Sequence, residues 1–192
     1  MRTNYLIIYA LLLVILYSCS QTTTDGPYLA TGIKIGEVTQ NKAIVWVRLT
    51  KTPERVGNDA PMPDVKYKDP ESGEMIERKG RPDITPVVTY PESYNINNIQ
   101  GAVPGSEGKV RLKYKEADKQ EWIELEWQQV SPEHAFAHQF ELTELSAGKE
   151  YEILVEASPL NGKKVSASID GKLKTAPVAE ASSNVNFIVT TG

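Results

Sequence analysis

Alternation of apolar and polar positions dominates the middle of the chain and predicts strands. Over Ala43 to Thr50 (AIVWVRLT), Ala43, Val45, Val47 and Leu49 share one face and Ile44, Trp46 and Arg48 the other. Ile33 to Thr39 reads as a strand before it. Val110, Leu112 and Tyr114 alternate with Arg111, Lys113 and Lys115. Ile123, Leu125 and Trp127 alternate with Trp122, Glu124 and Glu126 within Glu121 to Val130. A loop over Ala117 to Gln120 would make these two segments a hairpin. It pairs Tyr114 with Ile123, Leu112 with Leu125 and Val110 with Trp127, and sets Lys113 opposite Glu124 and Arg111 opposite Glu126. The charge stripe reads as a solvated sheet face. Phe136 to Leu145, Glu150 to Ser158 and Val165 to Thr175 complete about seven strands. No segment after the N-terminal apolar run has a helical period, so the expected class is all-β, an antiparallel sandwich.

One stretch exceeds a minimal sandwich. Residues 52–108, between the second and third main strands, carry eight prolines, from Pro53 to Pro104. Long connections in compact domains are functional or disordered. This one holds Tyr67, Ile76, Val87, Val88, Tyr90, Tyr94 and Ile96. It predicts an ordered insert with one or two short strands, packed on the sandwich or on a neighbouring domain.

The N-terminus reads as an address. Arg2 precedes the apolar run Tyr5 to Tyr17, which is shorter than the roughly 20 residues of a membrane-spanning helix and has signal-peptide length. Leu16-Tyr17-Ser18-Cys19 resembles a bacterial lipobox. On that reading residues 1–18 are a lipoprotein signal peptide, Cys19 is lipidated and 19–28 form a polar tether. The protein is then exported and lipid-anchored in a bacterial cell envelope. An ordinary secretory signal with a chance cysteine is the alternative. Cys19 is the only cysteine, which excludes an intrachain disulfide. Loss of Arg2 with the leader takes the formal charge from −4 to −5. That acidic balance argues against nucleic acid or an anionic membrane surface as partner.

The segment Leu145-Ser146-Ala147-Gly148-Lys149-Glu150-Tyr151 (L-x-x-G-x-x-Y) resembles the corner before the penultimate strand of fibronectin type III-like domains. Gly171 to Pro177 resembles their last strand and its exit. The resemblance implies a fibronectin type III/Ig-like sandwich over 29–178, with Leu145, Gly148 and Tyr151 as corner residues. There Tyr151 would bury its ring and bond the corner backbone through its hydroxyl.

A more specific resemblance rests on Ala30 to Thr39 (ATGIKIGEVT), Ala43 to Thr50 and Gly101 to Arg111 (GAVPGSEGKVR). Together they look like the N-terminal domain of PhoD-type alkaline phosphatases and phosphodiesterases. That resemblance implies a metallophosphoesterase domain after this one. Val185 to Gly192 reads as a short apolar strand entering a Gly turn. It makes 179–192 a linker and the first strand of that further domain, which alone would hold the metal ions. No cofactor is expected in the chain itself.

Catalytic chemistry finds no support in the residues. A two-metal phosphoesterase needs several Asp, His and Asn ligands, whereas this chain has His134 and His138 and no DxH, GDxxD or GNHD pattern. On a strand the two histidines share a face with Phe136, and a metal site would need further ligands. Glu124 and Glu126 have no cleft to make them an acid–base pair. Gly101 to Gly108 lacks the strand-before, helix-after context of a phosphate loop. Trp46 is first of all a sheet-packing residue. With Arg48 it offers a cation–π pair or a contact with a neighbouring domain. The reading is therefore a non-catalytic accessory domain of a PhoD-like hydrolase. Its partners would be a metallophosphoesterase domain, in cis or as a separate chain, and the membrane through the lipid. The alternative is a stand-alone surface-anchored binding module.

Overall fold

The structure, a computed structural model, describes residues 26–77, 84–162, 164–182 and 188–189. Cys19, the signal segment and most of the tether lie outside the described residues. So does the C-terminal strand, apart from Ile188 and Val189, which are exposed.

Among the described residues eleven strands follow in order: β1 (Ile33–Gly36), β2 (Ala43–Arg48), β3 (Asp64–Lys68), β4 (Met75–Ile76), β5 (Pro86–Thr89), β6 (Gly108–Glu116), β7 (Ile123–Glu124), β8 (Gln128–Val130), β9 (Ala137–Leu142), β10 (Glu150–Ser158) and β11 (Ala167–Lys174). One sheet runs β1-β2-β9. The facing sheet runs β11-β10-β6-β7, with β8 also on β6. Every pairing is antiparallel. This is an all-β sandwich of the fibronectin type III/Ig-like kind, with the insert between the second and third main strands.

Period-two patterning builds the core. Val45, Val47 and Leu49 from one sheet meet Val110, Leu112, Ile153 and Val155 from the other, all fully buried. Each such side chain stabilises the fold by roughly 1.5–3 kcal/mol relative to exposure. Among the described residues, none from 51–107 belongs to the core. The insert forms its own sheet, β4-β3-β5, three short strands where one or two were expected.

The hairpin register holds near its turn, where Lys113 faces Glu124 and Tyr114 faces Ile123. Farther along, Val110 faces Gln128 and not Trp127. One extra residue on the outer strand, a β-bulge within Leu125 to Trp127, accounts for the slip. It turns Trp127 to the charged face. The strand expected from Phe136 starts at Ala137, because Ala135 and Phe136 both take positive φ (52° and 60°) after a short 3₁₀ turn, Pro132–His134. His134 therefore does not share a strand face with His138. Glu37, at φ 49°, ends β1 early.

The sandwich has two unlike ends. At one, Tyr28 bridges Thr50 and Thr50 bridges Gly105, so the chain entry and both legs of the insert lie together. Tyr28, Lys51 and Gly105 border a depression there together with Pro132, Phe136 and Leu160. At the other end the Ala176 N–H donates to Thr39 O and the Gly148 N–H to Ala176 O, fixing the exit of β11 beside the Tyr151 corner.

Candidate functional site

The Tyr151 corner is closed by three kinds of contact. The Ser146 N–H donates to the Tyr151 hydroxyl at 2.7 Å, while the ring is 4% exposed in the core. The Thr175 hydroxyl donates to Ser146 O at 2.7 Å and accepts from the Lys149 N–H at 2.9 Å. Leu145 is buried beneath, and Gly148 takes φ 69°, which a side chain disfavours. Burial, with the neighbouring Tyr151, raises the Tyr114 hydroxyl pKa above its usual value. The corner is structural chemistry, without a reactive group.

On the outer face of the first sheet, Trp46 and Arg48 do not stack on each other. The Arg48 Nε donates to Ala135 O at 3.1 Å and its Nη1 to Val103 O at 2.9 Å. Arg48 thus ties the returning leg of the insert to the corner before β9. Trp46 is half-buried and lines an open cleft of about 450 Å³ with Gln129, His134 and His138. His138 faces Val47 across the ladder and meets the Phe140 ring edge-on at 4.6 Å. Burial lowers its pKa below the ordinary 6.5. His134 is exposed on the 3₁₀ turn. Among the described residues no group of three or more His, Cys, Asp or Glu could hold a metal ion.

The outer face of β6 carries the densest charge. Glu156, 8% exposed, accepts from the Arg111 Nε at 2.9 Å and Nη2 at 2.6 Å. The Arg111 Nη1 reaches Glu124 at 2.7 Å, and Lys113 joins Glu124 at 3.0 Å and Glu156 at 3.5 Å. The Trp127 ring lies 4.7 Å from the Arg111 guanidinium carbon, and Trp122 5.3 Å from the Lys115 ammonium. Lys115 in turn pairs with Glu152 at 2.7 Å. The Lys113 hydrogen bond holds the Glu124 carboxyl below its usual pKa, as the Lys115 bond does for Glu152. Arg111, Lys113 and Lys115 each have carboxylate partners, and Lys109 lies over the Trp127 ring at 5.6 Å, so most of the positive charge of this face is neutralised within it. Alternation in the sequence showed this stripe. The bulge that adds Trp127 to it left no signal there.

The insert shows what sequence reasoning missed. Across its ladder Val65 faces Val88, and Tyr67 faces both Pro86 and Ile76. These five side chains therefore share one apolar face, while Asp64, Lys66 and Lys68 lie on the other with Met75, Val87 and Thr89. No residue from 51 to 107 is buried among those described. Strands this short give too few alternations to reveal a face.

No protein-family model matches the chain, and no curated protein sequence does. Among solved structures, the chain is similar to one of PhoD at a TM-score of 0.46 and 14% identity, covering 85% of this chain and 22% of that one. It is also similar to a computationally redesigned β-sandwich protein, at a TM-score of 0.36 and 11% identity, covering 77% of this chain and 93% of that one.

Proposed function

We propose that this chain is the non-catalytic N-terminal accessory domain of a PhoD-like phosphoester hydrolase, exported and anchored through a lipid on Cys19. One juxtaposition carries the reading. The segments that resemble the PhoD-type N-terminal domain, residues 30–50 and 101–111, lie far apart in sequence yet adjoin at the Thr50–Gly105 bridge and the Lys51–Pro104 backbone bond. They behave as one unit of architecture with the insert looped out of it. On this reading a metallophosphoesterase domain following β11 would start from the Tyr151 end, where β11 exits. Half-buried Trp46 offers it a contact on the outer sheet face, whereas Arg48 is spent on internal carbonyls. A separate metallophosphoesterase chain would meet the same face.

The test is activity with and without the further domain. The purified chain should turn over no chromogenic phosphomonoester or diester with any divalent metal. The reading frame beyond codon 192 should encode clustered Asp, His and Asn ligands. Metal-dependent turnover abolished by His134→Ala would overturn the proposal. A stop codon with no such frame would favour a stand-alone anchored binding module.

A further inference from the structure

Among the described residues the insert sheet keeps part of its apolar face open to solvent. Its apolar face comprises Val65, Tyr67, Ile76, Pro86 and Val88, of which Val65 and Val88 are each 41% exposed, while Met75 and Val87 are exposed on the opposite face among the charged residues. A small sheet needs its apolar face packed, and a contiguous exposed patch marks an interaction site. The legs of the insert are laddered from its root outward by Lys51–Pro104, Val56–Ala102 and Pro61–Gln100 backbone bonds. They root it at the end of the sandwich where Tyr28 enters.

That topology selects the occupant. From Cys19 to Tyr28 the chain spans at most about 30 Å when fully extended. An anchor at Cys19 therefore keeps the root of the insert close to the lipid that holds it. A domain following β11 starts from the opposite end. Exposed Tyr90 and Tyr94, with half-buried Tyr67, combine an apolar ring and a polar tip, the chemistry that settles at lipid headgroup level. The acidic balance of the chain makes the contact apolar, so charged lipid is not required.

We propose that the insert is a second membrane contact. The apolar face of β4-β3-β5 rests on the bilayer that carries the N-terminal anchor, and the pair of contacts fixes the sandwich's orientation. The proposal rests on the anchoring reading of Cys19.

The experiment uses the full chain reconstituted in vesicles of phosphatidylcholine, with flotation reporting attachment. The native tryptophans, Trp46, Trp122 and Trp127, all belong to the sandwich. Val65→Trp and Val88→Trp each add one on the apolar face of the insert, at positions 41% exposed. Val178→Trp adds one beyond β11. With brominated phosphatidylcholine, the added emission of the two insert variants should be largely lost, and that of Val178→Trp and the native residues kept. A chain that floats but keeps the Val65→Trp and Val88→Trp emission overturns this proposal alone. A chain that does not float overturns the anchor and this proposal together. A blue shift of both insert variants without vesicles, rising with protein concentration, would assign the face to a second copy and overturn the membrane.

Discussion

The Tyr151 hydroxyl accepts the N–H of Ser146 at 2.7 Å while its ring fills the core beside Tyr114, 6.3 Å away between centroids. One side chain thereby joins the turn to both sheets. Tyr151→Phe should cost about 0.5–1.5 kcal/mol, the range of one hydrogen bond. Tyr151→Ala should cost roughly 3–5 kcal/mol, the range of a large aromatic truncation. Urea unfolding of the two variants checks both figures. An alanine variant as stable as the parent would remove the corner from the account of stability.

Glu156 and Arg111 form the shortest ion pair of the outer face, 2.6 Å, with side chains 11% and 22% exposed. Glu156→Ala leaves the guanidinium with Glu124 alone and should cost about 1.5–3 kcal/mol, the range for hydrogen bonds to charged groups. Arg111→Lys should lose most of the same free energy, since an ammonium cannot reproduce the guanidinium fork or its stacking on Trp127. A double-mutant cycle over the two positions should show strong coupling. Additive losses would mean that the two side chains act independently.

His138 sets a dependence on pH near neutrality. Its folded pKa is lowered by burial, so the unfolded chain binds the proton more readily. The stability it contributes is present above 6.5, the ordinary value, and is lost as pH falls through the lower folded value. Denaturation midpoints of the wild type should fall across that window, and those of His138→Gln should fall less. The carboxyls held low by lysines, Glu124 and Glu152, act in a separate window. Their contribution is present above 4.5 and lost as the medium becomes more acidic. Equal slopes for wild type and His138→Gln near neutrality would show that this imidazole is not the group titrating.

The long strands were legible because they repeat. β2, β6 and β10 each carry several alternations, and the Lys113–Glu124 opposition follows from the same phase. Where one residue breaks the phase, the signal fails. The bulge before β8 sends Trp127 to the other face, and the positive φ at Ala135 and Phe136 replaces strand with a turn. Arg48 reads as an outward side chain. Its partners, Val103 and Ala135, lie 55 and 87 positions away and come near only through the fold. The insert sheet escapes for a different reason: β4 has two residues and β5 four, too few to carry a period.

Entry and exit at opposite ends of the sandwich have a mechanical consequence. The chain enters through β1, an edge strand of one sheet, and leaves through β11, an edge strand of the other. Force applied between the two termini pulls each strand along its own length. Hydrogen bonds of the β1–β2 and β10–β11 ladders are then loaded together in shear, and none can be peeled singly. A sandwich threaded in this way transmits tension between whatever holds its two termini before its core opens.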